Sequence, residues 1–221
     1  MKRVLITGAS DGIGRAIAEC LADRYELILC GRDSKKLKEV AEICGGAKTF
    51  AFDINDHATR DNVVEQVGEI DILINNAGIW HKAGNLESLS DEKVIEVINT
   101  NLVSQVLLTK VLLPIMKNRE GSAIINVISK SGITAQAGQT VYTASKYGMR
   151  GFTDVLRQDT KADLIRIGAV YQSGTNTKMF EKAGEDFSVE SLTEPKDLAE
   201  VVKFMLTRPK KLWINEVRVE K

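Results

Sequence analysis

The chain has 221 residues, enough for one α/β domain with a full core and too few for two ordinary domains. Its thirty acidic and thirty basic residues give a formal net charge of zero at pH 7, so no nucleic-acid or anionic-membrane partner is expected. The apolar runs are too short to predict a membrane span, and the first ends at residue 7, which argues against a signal peptide.

The first predicted element is a buried strand over residues 3–6, followed at once by a glycine-rich turn. The turn reads TGASDGIG over residues 7–14 and leads into a helical pattern over residues 13–23. A strand, a glycine turn and a helix together direct backbone N–H groups and a positive helix end towards an anion. This combination indicates a pyrophosphate site, and an ordinary glycine-rich turn is the alternative.

Short apolar strands alternate with helical patterns along the whole chain, as in a parallel sheet covered by helices. The predicted strands are residues 4–6, 27–30, 49–52, 70–74, 123–128, 164–170 and 212–219. The predicted helices are residues 13–23, 34–43, 57–67, 90–98, 101–117, 142–160 and 195–206. Pro114 is expected to end or bend the helix that contains it. Residues 172–194 lack clear periodicity, which is typical of an active-site lid.

The second predicted strand ends at Cys30-Gly31-Arg32, where a dinucleotide fold meets the adenosine ribose. An acidic side chain there would bind the 2′-hydroxyl of NAD, but this chain has Gly31 followed by Arg32. A guanidinium is suited to a 2′-phosphate, so NADP(H) is the preferred cofactor. Asp11 in the glycine turn would repel a nearby phosphate, and NAD(H) therefore remains possible.

Tyr142 and Lys146 lie four residues apart in the run YTASK and share one face of a predicted helix, about 6 Å apart along its axis. The ammonium is expected to lower the pKa of the phenol from its ordinary value of about 10. A phenol tuned in this way exchanges a proton with an alcohol or a ketone. This pair predicts acid/base chemistry on an oxygen.

The cysteines and histidines show no metal-binding pattern. Cys20, Cys30 and Cys44 form no C-x-x-C motif, and neither His57 nor His81 has a ligand-type neighbour at helical spacing. We expect buried, reduced thiols in a cytoplasmic protein, and no metal site.

In these residues the chain resembles the short-chain dehydrogenase/reductase family over essentially its whole length. The motifs that carry the resemblance are Thr7-Gly8-x-x-x-Gly12-x-Gly14, Asn75-Asn76-Ala77-Gly78 after the fourth strand, Asn101 opening a long helix, Ser129 ending the fifth strand, and Tyr142-x-x-x-Lys146. The resemblance implies one Rossmann-type α/β domain over residues 1–221, a doubly wound sheet of seven parallel strands with helices on both faces and a substrate loop at about residues 172–194.

The resemblance also implies roles for four catalytic residues. Tyr142 would be the general acid/base, and Ser129 would donate a hydrogen bond to the reacting oxygen. Lys146 would hold the nicotinamide ribose and lower the pKa of Tyr142, while Asn101 would anchor a water that links Lys146 to solvent. Ser131 is the alternative donor to Ser129, and a helix cap is the alternative role for Asn101.

The implied cofactor-binding residues surround the dinucleotide from end to end. They are Gly8, Ser10, Asp11, Gly12, Ile13, Gly14, Arg32, Asp53, Ile54, Asn76, Ala77, Gly78, Tyr142, Lys146, Thr175 and Thr177. In the family pattern Asp53 would meet the adenine amino group and Thr177 the nicotinamide end. Asn75 is expected to brace neighbouring strands rather than to touch the cofactor.

Two departures from the family pattern lie near this site. Gln172-Ser173 stand where the family usually has Pro-Gly, and Lys130 follows Ser129 directly. Without the proline the loop beside the nicotinamide would be more mobile, and Lys130 is expected at the surface.

The expected function is an NADP(H)-dependent oxidoreductase that interconverts a carbonyl and an alcohol; the alternative is a catalytically silent NADP(H)-sensing regulatory protein. The candidate substrate-lining positions are mostly apolar and favour a small, neutral carbonyl or alcohol substrate. They are Trp80, His81, Ile133, Gln136, Gln139, Met179, Phe180 and Phe187. The family pattern and the apolar helix 101–117 also predict a homodimer or homotetramer, in which helices 101–117 and 142–160 pack on a twofold-related pair.

Overall fold

The computed structural model of the protein, which describes residues 1–186, 188–209 and 211–220, is built on one sheet of seven parallel strands. The strands are β1 (Lys2–Thr7), β2 (Tyr25–Gly31), β3 (Lys48–Ala51), β4 (Ile72–Asn75), β5 (Ala123–Val127), β6 (Arg166–Gln172) and β7 (Glu216–Val219). The helices are α1 (Gly12–Leu21), α2 (Ser34–Ile43), α3 (His57–Val67), α4 (Asp91–Ile98), α5 (Ser104–Met116), α6 (Thr140–Asp159), α7 (Met179–Lys182) and α8 (Pro195–Leu206). The strand order is β3-β2-β1-β4-β5-β6-β7, which confirms the predicted Rossmann-type sheet.

Apolar helix faces cover both sides of this sheet, and the central strands are therefore buried on both faces. On one side α1, α2 and α8 contribute residues such as Ile17, Leu37 and Val202 to a common core. On the other side α3, α5 and α6 contribute residues such as Val64 and Leu112. Two apolar layers therefore hold the sheet rigid between them.

The site is positioned by the reversal of strand order between β1 and β4. From β1 the chain adds β2 and β3 towards one edge, and from β4 it adds β5, β6 and β7 towards the other. Beyond the carboxyl ends of β1 and β4 no crossover covers the sheet, and ligands of open α/β sheets bind in the crevice left at such a point.

Buried amide side chains fasten the helices of one layer to the middle of the sheet. Asn75 Nδ2 on β4 donates to Asn126 Oδ1 on β5 at 2.9 Å and to Thr109 Oγ1 on α5 at 3.0 Å. Asn126 Nδ2 donates in turn to Thr153 Oγ1 on α6 at 2.7 Å. Asn75 thus braces neighbouring strands, as the sequence led us to expect.

Several strand boundaries predicted from the sequence are wrong, among them those of β2, β4, β6 and β7, and the structure gives a reason for the last two. The predicted start of β6 includes Leu164, but this residue has φ of 60° and lies in a turn, so the strand begins at Arg166 and runs on to Gln172. The predicted start of β7 at Leu212 is four residues early. Trp213 instead packs across the sheet and donates from Nε1 to the carbonyl oxygen of Ile167 at 3.1 Å.

The sequence analysis expected Asn101 to open a helix, and this expectation was wrong. A π-helical segment, Asn99–Val103, joins α4 to α5 in one continuous helical stretch, and Asn101 lies in the middle of that segment. The wider π-helical turn is a local irregularity of the kind that accompanies functional sites. Pro114 lies in the last turn of α5, which ends two residues later at Met116.

The continuous stretch Asp91–Met116 is, by length and composition alone, long and apolar enough to cross a membrane. The expectation that no apolar segment reaches that length was therefore wrong. Core helices of globular proteins meet the same criterion, and here Leu108, Leu112 and Met116 are buried against the sheet.

Candidate functional site

The glycine turn after β1 is shaped by close backbone approach. A Cβ on Gly14 would overlap the carbonyl oxygen of Gly8, so α1 can approach β1 this closely only with glycine at that position. Gly12 has φ of 54°, and a Cβ there would lie 3.1 Å from Cγ2 of Thr177 in the segment after β6. Asp11 caps α1 by accepting from the N–H of Gly12 at 2.9 Å.

The segment after β4 is fastened to the end of β1. The hydroxyl oxygen of Thr7 accepts from the N–H of Asn76 at 2.9 Å and from the N–H of Ala77 at 3.0 Å, while Asn76 Nδ2 donates to the Thr7 carbonyl oxygen at 2.9 Å. These bonds fix the two strand ends on either side of the crevice.

A cavity of about 820 Å³ lies at this crevice and runs from the glycine turn to the start of α6. Most of the sequence-predicted site residues line it. They are Gly8, Ser10, Asp11, Gly12, Ile13, Arg32, Asp53, Ile54, Asn76, Ala77, Gly78, Ser129, Tyr142, Lys146, Thr175 and Thr177. Gly14 and Asn101 do not line it: Gly14 packs beneath the turn, and Asn101 lies behind the wall.

The predicted acid/base pair lies in the first two turns of α6, at one end of the cavity. Tyr142 and Lys146 are both buried, and Lys146 Nζ lies 5.4 Å from the centre of the Tyr142 ring. Ser129, two residues after the end of β5, has φ of 146°, a backbone region that non-glycine residues rarely occupy and that recurs at functional sites. The Ser129 hydroxyl lies close enough to the Tyr142 hydroxyl to lower its pKa through hydrogen bonding.

Ser131, the alternative to Ser129, is engaged elsewhere. Its hydroxyl donates to Oε1 of Gln139 at 3.0 Å, and its backbone N–H donates to Oγ of Ser129 at 3.1 Å. The geometry therefore favours Ser129 as the residue that faces the Tyr142 hydroxyl.

The pKa values of the pair differ from the sequence-based expectation. Burial raises the pKa of Tyr142 to about 12, and the hydrogen bond with Ser129 offsets this only in part. Burial lowers the pKa of Lys146 to about 8. Desolvation disfavours the charged form of both groups and outweighs the attraction that was expected to lower the pKa of the phenol.

Asn101 supports the cavity wall from behind. Its Oδ1 accepts from the N–H of Ile79 at 2.8 Å, and its Nδ2 donates to the Ile79 carbonyl oxygen at 2.9 Å and to Oγ of Ser145 at 3.1 Å. Asn101 therefore links the segment after β4 to the helix that carries Tyr142. It does not cap a helix, which was the alternative role considered for it.

His81 contacts the same helix from the segment after β4. It is 2% exposed, its Nε2 accepts from the backbone N–H of Tyr142 at 3.2 Å, and its Nδ1 lies 2.9 Å from the Lys82 carbonyl oxygen. Both contacts are satisfied only by the neutral tautomer that is protonated at Nδ1. His81 thus holds one of the N–H groups that a helix start leaves unpaired, rather than lining the cavity as the sequence suggested.

Aromatic side chains form the wall next to Tyr142. The ring centres of Trp80 and Tyr142 are 4.5 Å apart, and those of Trp80 and Phe180 are 5.4 Å apart. Among the other predicted lining positions Gln136, Gln139 and Met179 also line the cavity, Ile133 does not, and Phe187 lies outside the described residues.

Charged residues that the sequence analysis did not single out tie the segment after β6 to both sides of the cavity. Glu185 Oε1 accepts from Nε1 of Trp80 at 3.2 Å and from the N–H of Ala83 at 2.6 Å. Lys182 Nζ lies 3.0 Å from the Asp11 carboxylate, and Lys36 Nζ lies 3.1 Å from it. Burial raises the pKa of Asp11, but the hydrogen bonds from the two lysines outweigh it and lower the pKa to about 2.

The structure also shows where the departures from the family pattern, Lys130 and Gln172-Ser173, lie. Lys130 Nζ lies 3.5 Å from the Glu220 carboxylate, but Lys130 is only one-third exposed and also lines the cavity, so the expected surface position is only part of its environment. Gln172 and Ser173 both line the cavity. Arg32 is exposed at the rim, at the end of β2.

A family model described as short chain dehydrogenase matches residues 2–187 of the chain. The 3-oxoacyl-(acyl-carrier-protein) reductase FabG of Haemophilus influenzae is 34% identical over 218 residues, covering 92% of this chain and 90% of that protein. The NADP-dependent 3-hydroxy acid dehydrogenase of Schizosaccharomyces pombe is 30% identical over 237 residues, covering 99% of this chain and 92% of that protein.

Solved structures agree with the fold. An alcohol dehydrogenase from the archaeon Thermococcus sibiricus, complexed with 5-hydroxy-NADP, superposes with a TM-score of 0.88 at 26% identity, covering 99% of this chain and 96% of that one. A 3-ketoacyl-(acyl-carrier-protein) reductase from Brucella melitensis, complexed with NADH, superposes with a TM-score of 0.87 at 28% identity, covering 99% and 95%.

The contact between His81 and Tyr142 can be tested by stability. His81→Leu leaves the buried N–H of Tyr142 unpaired and removes the contact with the Lys82 carbonyl oxygen, so it should lower the free energy of unfolding by about 1–3 kcal/mol. His81→Gln keeps an acceptor for the Tyr142 N–H, and His81→Asn keeps only the donor to Lys82, so each should recover part of the loss. Urea denaturation measures all three variants; equal stability of His81→Leu and the wild type would contradict the assignment.

Proposed function

The chain belongs to the short-chain dehydrogenase family, and we propose that it is an NADP(H)-preferring oxidoreductase that interconverts a small, neutral carbonyl compound and its alcohol. The observation that carries the proposal is that Ser129, Tyr142 and Lys146 lie at one end of a cavity whose other end is the glycine turn. Acid/base groups and a pyrophosphate cradle in one cavity are what hydride transfer to a carbonyl requires.

The residues present fit a nicotinamide dinucleotide. The N-terminus of α1 and the glycine turn line the cavity and can accept a pyrophosphate, and side chains on Gly12 or Gly14 would obstruct the turn. The volume of about 820 Å³ lies within the usual range for ligand pockets, roughly 300–1,000 Å³. Asp53 and Ile54 would hold the adenine, Asn76, Ala77 and Gly78 the adenosine ribose, and Lys146 and Thr177 the nicotinamide end.

A bound nicotinamide cofactor would supply the hydride to the carbonyl carbon or, in the reverse direction, accept it from the alcohol carbon. Tyr142 supplies the proton to the carbonyl oxygen, and a phenol with a pKa of about 12 is fully protonated at neutral pH and ready to do so. Ser129, which lines the cavity beside the Tyr142 hydroxyl, would donate to the same oxygen. Lys146, with a pKa of about 8, remains largely charged at pH 7 and stabilises the phenolate that forms.

The preference for NADP(H) rests on the charges around the adenosine end. Arg32 and Lys36 both line the cavity there, where a 2′-phosphate would lie. The Asp11 carboxylate, which the sequence analysis expected to repel a phosphate, is already paired with Lys36 and Lys182. Its charge is therefore balanced, which removes the argument against NADP(H).

The substrate class follows from the wall opposite the glycine turn. Trp80, Met179 and Phe180 give that end an apolar lining, while Gln136 and Gln139 add neutral polar groups. We propose that the segment over residues 172–194 closes over the substrate. The single domain would lie in the cytoplasm, where its three free cysteines stay reduced.

We also propose that the protein assembles through α6. Tyr147, Gly151 and Val155 follow one another at four-residue intervals on one face of α6 and are all exposed in the single chain. Within the described part of the chain, no atom lies within 4 Å of a Cβ built on Gly151, so a second helix could approach closely there. A symmetric homodimer or homotetramer would bury this face.

The acid/base assignment predicts the effect of Tyr142→Phe. The change keeps the ring and removes the proton, so turnover of a reducible carbonyl compound should fall by roughly 10²–10⁴-fold. NADPH affinity, measured by quenching of protein fluorescence, should change little. Near-normal turnover in the variant would refute the mechanism, and wild-type NADPH binding without turnover on a broad ketone panel would instead favour a nucleotide sensor.

The cofactor assignment predicts the effect of Arg32→Ala. Loss of a charge-assisted contact worth about 1.5–3 kcal/mol should weaken NADPH binding by roughly 10- to 150-fold. NADH lacks the 2′-phosphate, so its dissociation constant should stay within about twofold of the wild type. Lys35→Ala, a neighbouring exposed cation outside the cavity lining, is the matched control. Equal losses for NADPH and NADH in Arg32→Ala would contradict the assignment.

The assembly proposal predicts a mass in solution of two or four chains of 24.3 kDa. Val155→Glu places a charge in the proposed interface and should shift the mass measured by light scattering towards one chain. Ile43→Glu alters an equally exposed apolar residue at the end of α2 and should leave the mass unchanged. A wild-type mass near 24.3 kDa at micromolar concentration would refute the proposal.

A further inference from the structure

Asn55 follows the two residues proposed to hold the adenine, but its own side chain is bonded to the helical stretch formed by α4 and α5. Its Nδ2 donates to Oγ1 of Thr100 at 2.8 Å, and its Oδ1 accepts from Oγ of Ser104 at 2.7 Å. One carboxamide therefore joins the segment after β3 to the π-helical segment Asn99–Val103 and to the first residue of α5.

The two partners of Asn55 are buried and flank Asn101 in the sequence. Thr100 is 7% exposed, and Ser104 is fully buried. Residues four apart lie on one face of a helix, so the carboxamide spans the wide turn from one end to the other. Within that turn the N–H of Ser104 donates to the carbonyl oxygen of Asn99, five residues back, which is the π-helical pattern.

The backbone of Asn55 is itself fixed. Its N–H donates to Oδ1 of Asp53 at 2.9 Å, and the N–H of Asp56 donates to the Asp53 carbonyl oxygen at 2.9 Å. Asp56 in turn caps α3 by accepting from the N–H of Thr59 at 3.2 Å. The carboxamide is therefore presented by a closed turn next to a capped helix.

The π-helical turn determines which way Asn101 faces. Its extra residue shifts the faces before and after it by one position, about 100° of rotation in a helix of 3.6 residues per turn. In this register the Asn101 amide meets the backbone of Ile79 on one side and Oγ of Ser145 on the other. A turn that relaxed towards a regular α-helix would move that amide away from both partners.

We propose that Asn55 is a positioning residue for the acid/base site. By fixing the π-helical turn it sets the orientation of Asn101, and through Asn101 the position of the helix that carries Tyr142 against the segment after β4. This inference rests on the proposed oxidoreductase function. It gives the segment that would hold the adenine a second task at the reacting end of the cavity.

Four variants separate the two hydrogen bonds of Asn55 from its bulk. Asn55→Leu removes both bonds at similar volume, and Ser104→Ala removes one of them with little change in size. Asn55→Asp keeps an acceptor for both hydroxyls, because the hydroxyls of Thr100 and Ser104 can each donate. Asn62→Leu is the matched control, since Asn62 is an exposed amide on α3 that pairs with Gln66.

The kinetic readout is NADPH oxidation with diacetyl, a small neutral diketone. Asn55→Leu should lower kcat roughly 10- to 100-fold, because small displacements caused by changes away from the chemistry cost up to about 10²-fold. The dissociation constant of NADPH should change little, since the turn that carries Asp53 is closed by its own backbone. Asn55→Asp should recover most of the loss, and Asn62→Leu should match the wild type. Should Asn55→Leu fail to fold, Ser104→Ala should still lower kcat about 5- to 10-fold.

A double-variant cycle distinguishes positioning through Asn101 from a general loss of stability. If Asn55 acts through Asn101, the variant that combines Asn55→Leu with Asn101→Ala should be no slower than Asn101→Ala alone. Losses that multiply in the double variant would show that the two residues act independently, and would overturn the inference.

Amide hydrogen exchange measures the same coupling without turnover. The N–H of Ile79 donates to Oδ1 of Asn101, so Asn55→Leu should speed exchange of that amide by at least about fivefold, while Asn62→Leu should not. Wild-type kcat in Asn55→Leu or an unchanged exchange rate at Ile79 would each overturn the inference. A wild type that binds NADPH but reduces no carbonyl compound would instead refute the proposed function, and the exchange rates would still decide the role of Asn55.

Discussion

The candidate site depends on one hydrogen bond between two buried asparagines, Asn75 on β4 and Asn126 on β5. Asn75 also binds Thr109 of α5, and Asn126 binds Thr153 of α6. These two strands and two helices carry the segment after β4, Ser129, Asn101 and the acid/base pair. An apolar core of the same volume would hold the layers together, but it would leave the helices freer to slide along the sheet. Directional hydrogen bonds of the amide side chains, formed in a low dielectric, fix one register of the helices on the sheet. This register sets the positions of the site residues.

Burial then determines the electrostatics of the pair on α6. Tyr142 and Lys146 are both removed from water, so each is displaced towards its neutral form, the phenol upwards in pKa and the amine downwards. Their separation along one helix face brings the ammonium over the ring rather than to the hydroxyl, which weakens its effect on the phenol. The pair therefore starts as a proton donor beside a cation. That starting state suits reduction of a carbonyl, where negative charge develops on the oxygen only as the hydride arrives.

The sequence predicted the doubly wound parallel sheet from apolar periodicity, and most of the site residues that the family resemblance implied line the cavity. It did not predict the π-helical segment around Asn101, which requires the packing of α4 and α5 on α6. It also missed the sign of the Tyr142 pKa shift, since spacing gives the distance between two charges but not their burial. His81 was expected in the cavity, and only the fold shows that its ring turns towards the start of α6. Glu185 was not singled out, because its partners are more than one hundred residues away in sequence.

The segment after β6 is held at both ends of the cavity by charged groups, which couples the two halves of the site. Lys182 forms an ion pair with the Asp11 carboxylate at the glycine turn. Glu185 accepts a hydrogen bond from Trp80, whose ring contacts the ring of Tyr142. Both contacts are at least partly accessible to water, and such contacts contribute little individually. These contacts therefore link the segment to the glycine turn and to the wall beside Tyr142 without a large individual contribution to stability. Because Asp11 shares its charge between Lys36 and Lys182, an anion near Lys36 would compete with Asp11 for that lysine. The carboxylate would then be left paired with Lys182, so the charges at the adenosine end and on the segment after β6 are linked through Asp11.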